Sequence, residues 1–230
     1  MRWHAGCYYP GMGKANDFQP TCYRGEWMIR GLYYKGEGQQ RYLTIDEIAT
    51  ACRISPGKVK GWISQKILRR AEFGDNLVAV SEVLWFLLRN NMPVASSLLP
   101  PMTGKILFVT SNSAELREKE TTFDHICKLF AENYNLVLAE STTLGRPAHL
   151  TILTFEPDVV VVFQRSFTKD LVGTFDLLSG MSNLKTILFV DRATKLAADN
   201  GLLAISADLV VSESLPIDQL STKLSSFFKG

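Results

Sequence analysis

No stretch of the sequence is apolar and uninterrupted for long enough to cross a bilayer, so a helical membrane protein is not expected. The amino-terminal run MRWHAGCYYPGM lacks the continuous apolar segment of a secretory signal. Cysteine is scarce. The four present, Cys7, Cys22, Cys52 and Cys127, form no CxxC pair, which argues against a zinc ribbon or a disulfide scaffold. Reduced thiols in a cytoplasm are the simplest expectation. His4, Cys7 and Cys22 make an incomplete ligand set, so no metal is expected there. No Ser/His/Asp or Cys/His constellation accompanies His125 and His149. An enzyme is therefore not expected, no catalytic residue is assigned, and no cofactor is implied.

Acid is missing from one place in particular. Residues 48–71 carry six basic side chains (Arg53, Lys58, Lys60, Lys66, Arg69, Arg70) and no Asp or Glu. The wider charge follows the same bias: residues 1–100 hold 13 Lys/Arg against 8 Asp/Glu, and the remainder 12 against 15. A basic amino-terminal half is what an anionic partner such as nucleic acid requires.

The acid-free stretch reads as two short helices. Thr44 with Glu47 three residues on has the spacing of a capping box. Ile45, Ile48, Ala49 and Cys52 then recur on one face. Arg53 and Ile54 make a turn, Ser55 caps a second helix, and Pro56 takes its first position, where a missing N–H costs nothing. Val59, Trp62, Ile63 and Ile67 supply its buried stripe. The segments 68–72 and 77–80 flank a Phe-Gly-Asp-Asn turn and read as a two-stranded wing. Ser81 is placed as the cap of a third helix over 82–90, in which Trp85 and Phe86 serve as core filler.

Taken in order, YLTIDEIA, RIS, SPGKVKGWI, a basic wing and VSEVLWFL resemble the winged helix–turn–helix of the MerR/excisionase-type DNA-binding family over residues 41–92. That resemblance implies a recognition helix over 55–66 set in the major groove and a wing starting at Arg69 and Arg70 against the flanking backbone. Upstream, residues 1–40 are rich in glycine and aromatics without a period of 2 or 3.6, and read as a loop-rich or partly disordered arm. Downstream, residues 93–104, with three prolines in 92–103, read as an extended linker.

From residue 105 onward short apolar runs at 106–109, 136–139, 159–163, 187–190 and 209–211 alternate with helical patterns near 114–132, 146–154, 169–178, 194–199 and 217–228. This is the pattern of an α/β, doubly wound, five-stranded parallel sheet. The Pro-Asp-Val-Val-Val-Val run at 157–162, the Ser206-Ala207-Asp208 turn and the amphipathic last helix make residues 105–230 resemble the receiver domain of bacterial response regulators, a flavodoxin-like fold.

The resemblance implies a phosphorylation site whose residue types are absent. A receiver holds Mg²⁺ on carboxylates after its first strand, since a hard cation wants oxygen ligands. It phosphorylates an Asp ending the third strand, with a hydroxyl ending the fourth and a Lys ending the fifth. Aligned with that pattern, this chain has Thr110 and Ser111, Phe163, Val190 and Glu213. Phosphorylation and metal binding are thus not expected, and the half reads as a degenerate pseudo-receiver. Ser111, Asn112, Gln164, Arg165 and Ser212 fall at strand carboxyl ends, where open α/β sheets bind ligands, although solvated loop residues are the favoured reading.

Two functions follow. The first is a DNA-binding transcriptional regulator in which Lys58, Lys60, Lys66, Arg69 and Arg70 meet phosphate and Arg53, Ser55, Lys58 or Gln65 lie near base edges. One small domain reads few base pairs, so a homodimer on double-stranded DNA is expected, and the receiver resemblance implies that it is joined through about residues 194–228. The second is an adaptor that docks a signalling protein through the small domain.

Overall fold

The computed structural model describes residues 18–23, 26–34, 41–71, 74, 76–90, 92–164, 168–191 and 207–229. His4, Cys7, Arg165, Ser206 and the helix expected over 194–199 lie outside them.

The dominant element is a seven-stranded sheet. Its five parallel members are β5 (Thr103–Thr110), β6 (Leu136–Thr143), β7 (Val159–Gln164), β8 (Lys185–Val190) and β9 (Leu209–Ser212). They run in the spatial order β6-β5-β7-β8-β9. Renumbered among themselves that order is 2-1-3-4-5, the flavodoxin-like doubly wound arrangement shared by receiver domains. The five apolar runs of the sequence seed these strands because a strand covered on both faces needs no polar alternation.

Two helical layers cover the sheet. On one face, α5 (Glu120–Ala131) and α8 (Ile217–Lys229) pack over Ile106, Phe108, Val161 and Phe189. On the other, α6 (Arg146–Phe155) and α7 (Lys169–Ser179) pack over Leu107, Val109, Val160 and Leu188. The helix expected over 114–132 is in fact two: α4 (Ser113–Glu118) precedes α5, with Lys119 between them at φ −95°, ψ 0°. Gly104 lets β5 pass under α5. A Cβ there would stand 2.8 Å from ring atoms of both Phe130 and Tyr134.

The amino-terminal arm is a correction to the sequence reading. Within the stretch expected to be loop-rich, β1 (Phe18–Tyr23) and β2 (Glu26–Tyr34) form an antiparallel hairpin. β2 then pairs antiparallel with β6, matching Leu32 to Leu138. Pairing with an open sheet edge supplies the order that local periodicity does not signal.

The small helical unit consists of β3 (Tyr42–Thr44), α1 (Ile45–Cys52), α2 (Pro56–Ser64), β4 (Leu77–Ala79) and α3 (Val80–Arg89). Here too the structure departs from expectation. β4 pairs antiparallel with β3, matching Leu43 to Val78. Among the described residues the expected wing keeps an isolated Ala71–Gly74 bridge and the Ala71 N–H donated to the Leu77 carbonyl at 2.8 Å. α3 begins at Val80 with Ala79 as its cap, so Ser81 lies inside the helix.

This unit is not hung on a free spacer. The expected linker contains a 3-10 turn at Ser96–Leu98, and its last two residues, Thr103 and Gly104, already belong to β5. Leu98 is buried in one core with Ile48, Val59, Leu84 and Leu87, and that core also takes in Leu32, Leu136 and Leu138 of the sheet.

The start of α1 carries the capping box. The Thr44 hydroxyl accepts the Glu47 N–H at 3.2 Å, while the Thr44 N–H donates to the Glu47 carboxylate at 2.7 Å. The backbone donor, then the hydroxyl, holds the Glu47 carboxyl below its ordinary value. A depressed carboxylate stabilises the fold above its unfolded pKa, and that contribution fades as pH falls through the folded value. Thr44→Ala should therefore cost about 1 kcal/mol at neutral pH. The deficit should narrow in acid, as read by urea unfolding at the two pH values.

Candidate functional site

The eight side chains singled out on the helix pair, Arg53, Ser55, Lys58, Lys60, Gln65, Lys66, Arg69 and Arg70, are all exposed. Backbone geometry sets their directions. Arg53 closes α1 in the left-handed region at φ 54°, and the Ile54 N–H returns to the Ala49 carbonyl at 2.9 Å. Ser55 stands extended at the head of α2 with Pro56 next, as expected, although its hydroxyl makes no capping bond.

Within α2, Val59 is fully buried while Trp62 and Ile63 are half-buried. Trp62 rests on Phe86, ring centroids 4.4 Å apart. At about 100° per residue, Lys58 and Lys60 therefore emerge on opposite flanks of the buried line through Val59. The Lys58 ammonium lies 5.8 Å over the Trp62 ring. Between the two lysines the outward surface is Gly57, Gly61 and Ser64, and a Cβ on Gly61 would meet nothing within 4 Å. The helix thus presents a shallow face with a cation on each side.

The end of α2 corrects one assignment. Ile67, placed on the buried stripe by its spacing, is 47% exposed. Lys66 turns left-handed at φ 59°, which ends the helix and breaks the periodicity. Leu68 is buried in its place, and Arg69 and Arg70 follow it into solvent. Behind the pair, an open groove of about 610 Å³ runs between α1 and the 3-10 turn, lined among others by Arg41, Asp46, Glu47, Arg53 and Ser96.

The second set, Thr110, Ser111, Phe163, Val190 and Glu213, falls at the carboxyl ends of β5, β7, β8 and β9. Thr110 is buried and its hydroxyl donates to the Asn112 carbonyl at 3.0 Å. The Ser111 N–H and hydroxyl both donate to the Glu115 carboxylate, at 3.0 and 2.8 Å. Asn112 caps α4 through its side-chain oxygen. Phe163 is buried in an aromatic column, with Phe189 stacked at 4.5 Å and Phe123 tilted at 5.2 Å. Val190 is buried, and its carbonyl accepts the Glu213 N–H at 2.8 Å. Ser212 bonds Ser214 through their hydroxyls at 2.9 Å.

Two participants at this edge were not legible as such. Lys119 donates to the Glu213 carboxylate at 2.7 Å and lies 5.8 Å over the Phe163 ring. Glu115 is buried against Ser111. The one available signal was a charged residue at the helical spacing of Leu116 and Phe123, where an apolar one would be ordinary.

The two described histidines each meet a hydroxyl on a neighbouring helix. His125 meets Ser221 of α8 at 2.8 Å, and His149 meets Thr174 of α7 at 3.4 Å. Among the described residues no group of three His, Cys, Asp or Glu is placed to hold a metal, and no helix is long and apolar enough to cross a membrane.

No family model and no curated protein matches the chain. Among solved structures, a response regulator from Desulfuromonas acetoxidans is similar over 55% of this chain and 97% of its own, at 13% identity and a TM-score of 0.37. The fold assignment rests on the strand order itself.

Proposed function

We propose that the chain is a sequence-specific DNA-binding transcriptional regulator of the response-regulator type. Its residues 41–92 act as a winged helix–turn–helix and its receiver-like half serves dimerisation or partner sensing without phosphorylation. The observation that carries the proposal is the exposure of all eight candidate side chains in and beside a stretch of chain without an acid. Lys58 and Lys60 straddle the outward face of α2, so both walls of a groove are within the reach of one helix. Arg69 and Arg70 extend the positive surface beyond its end.

The phosphodonor-independent reading is supported by Phe163, a buried aromatic where a receiver would carry its Asp. A homodimer through the last helix and its neighbourhood would pair two recognition helices on adjacent half-sites.

The test is binding to duplex DNA across a salt series, with and without acetyl phosphate and Mg²⁺. Wild type should bind with a steep salt dependence that the phosphodonor leaves unchanged. Lys58→Ala with Arg70→Ala should weaken binding to all sequences and reduce the slope of log K against log salt by nearly 2, at about 0.9 per lost phosphate contact. An unchanged slope would remove this surface from the interface. No binding at low salt would favour the adaptor, and a phosphodonor effect would overturn the pseudo-receiver.

A further inference from the structure

We infer that Glu213 is a built-in counter-anion: its carboxylate fills, from within the chain, the place against Lys119 that an external oxyanion would take at the carboxyl edge of the sheet. Open α/β sheets take ligands outside the carboxyl ends of their strands, near the point where strand order reverses. In this sheet that point lies between β5 and β7, and the Lys119 ammonium sits over Phe163 near the end of β7. The ammonium is not an ordinary surface cation. Lys119 and Glu213 side chains are 15% and 16% exposed, and their charged atoms are 2.7 Å apart.

Among the described residues the ammonium's contacts are the Glu213 carboxylate and the Phe163 ring. Beneath it the floor is aromatic, Phe163 being followed by Phe189 on one side and by Phe123 and Phe108 on the other. A ring face attracts a cation but does not replace an anion. Lys119 stands at the interruption between α4 and α5, capping the end of one and the start of the other. Glu213 reaches Lys119 because its N–H is tied to the Val190 carbonyl, directly beyond β9. A cation so shielded that loses its counter-ion is left uncompensated, which is the costly way to break such a pair. The carboxylate is held on the same chain, at an effective concentration that a dissolved anion does not match. The site is therefore closed to phosphate in the wild-type protein and is opened by removing the carboxylate.

The experiment is thermal unfolding of the full chain, with inorganic phosphate titrated against chloride at equal ionic strength. The readout needs no DNA, so its outcome is independent of the proposed function. Phosphate stabilises folded proteins in general, without saturation, by exclusion from their surface. Specific binding instead gives a saturating rise in midpoint.

Glu213→Ala should melt below wild type in chloride and recover part of the loss in phosphate along a saturating curve. Wild type and Lys119→Met/Glu213→Ala should show only the general, unsaturated trend. Glu213→Ser, which also empties the place against Lys119 but leaves a small polar side chain, should give the same saturating response if Glu213→Ala folds poorly. A phosphate response in the single variants indistinguishable from that of the double variant would overturn the inference. So would a saturating response in wild type, since the site would then not be closed.

Discussion

Phe123→Ala is expected to lower the free energy of unfolding by about 4 kcal/mol, near the top of the range for a single core truncation. Phe123 is fully buried in α5, with its ring 4.3 Å from Phe108 and 5.2 Å from Phe163. The first contact is a stack at 17° and the second is tilted at 53°, so both geometries suit aromatic quadrupoles. Removing the ring forfeits its transfer from water and leaves a void that rigid neighbours on two strands cannot fill. Phe163 is held from its other side by Phe189, which limits collapse. Phe123→Leu keeps most of the volume and should cost under about 2 kcal/mol. Urea unfolding with an unchanged m-value would report both. A loss below about 1 kcal/mol for the alanine would mean that the column is loosely packed.

That column also shows what a sequence discloses and what it hides. The five parallel strands were legible because a strand buried on both faces writes itself as an apolar run, as Val159 to Val162 does. β6 was legible only as far as Ala139. It continues through Glu140, Ser141, Thr142 and Thr143 because those residues pair with Leu107 to Thr110, a constraint that lies in the partner strand. The hairpin of β1 and β2 was hidden for the same reason, its order being supplied by β6. Three-residue strands such as β3 and β4 are too short to carry a period, so their pairing could not be read either.

Aspartates before two strands were visible as motifs, and the structure gives them a task. Asp158 accepts the Lys105 N–H at 2.7 Å, and Asp208 accepts both the N–H and the hydroxyl of Thr186 at 2.7 Å. Each thus fastens the start of a neighbouring strand. At the site, basic residues on polar positions were readable as exposed. The end of α2 was not, because a left-handed Lys66 leaves no mark in hydrophobic spacing. Lys119 was hidden because its partner is 94 residues away.

Leu32→Ala should expose how the helical unit is held, with a loss of about 2–5 kcal/mol as for other buried leucines. Leu32 is fully buried in β2, opposite Leu138, in the core that also contains Ile48, Val59, Leu84 and Leu87. The sheet has two further cores of its own, under α5 and α8 and under α6 and α7. Truncating Leu32 therefore strikes the one core that joins the units and leaves the other two whole. All four tryptophans, Trp3, Trp27, Trp62 and Trp85, precede the parallel sheet in the chain, so fluorescence follows the amino-terminal part while far-ultraviolet dichroism weighs the whole. In wild type the two signals should change together in urea. In Leu32→Ala the fluorescence transition should move to lower urea and run ahead of the dichroism, because the helical unit and hairpin detach before the sheet melts. Coincident transitions at the wild-type midpoint would refute a shared core. Coincident transitions at a lower midpoint would mean that the joining core and the sheet unfold as one cooperative unit, with the helix pair held at a fixed angle to the sheet.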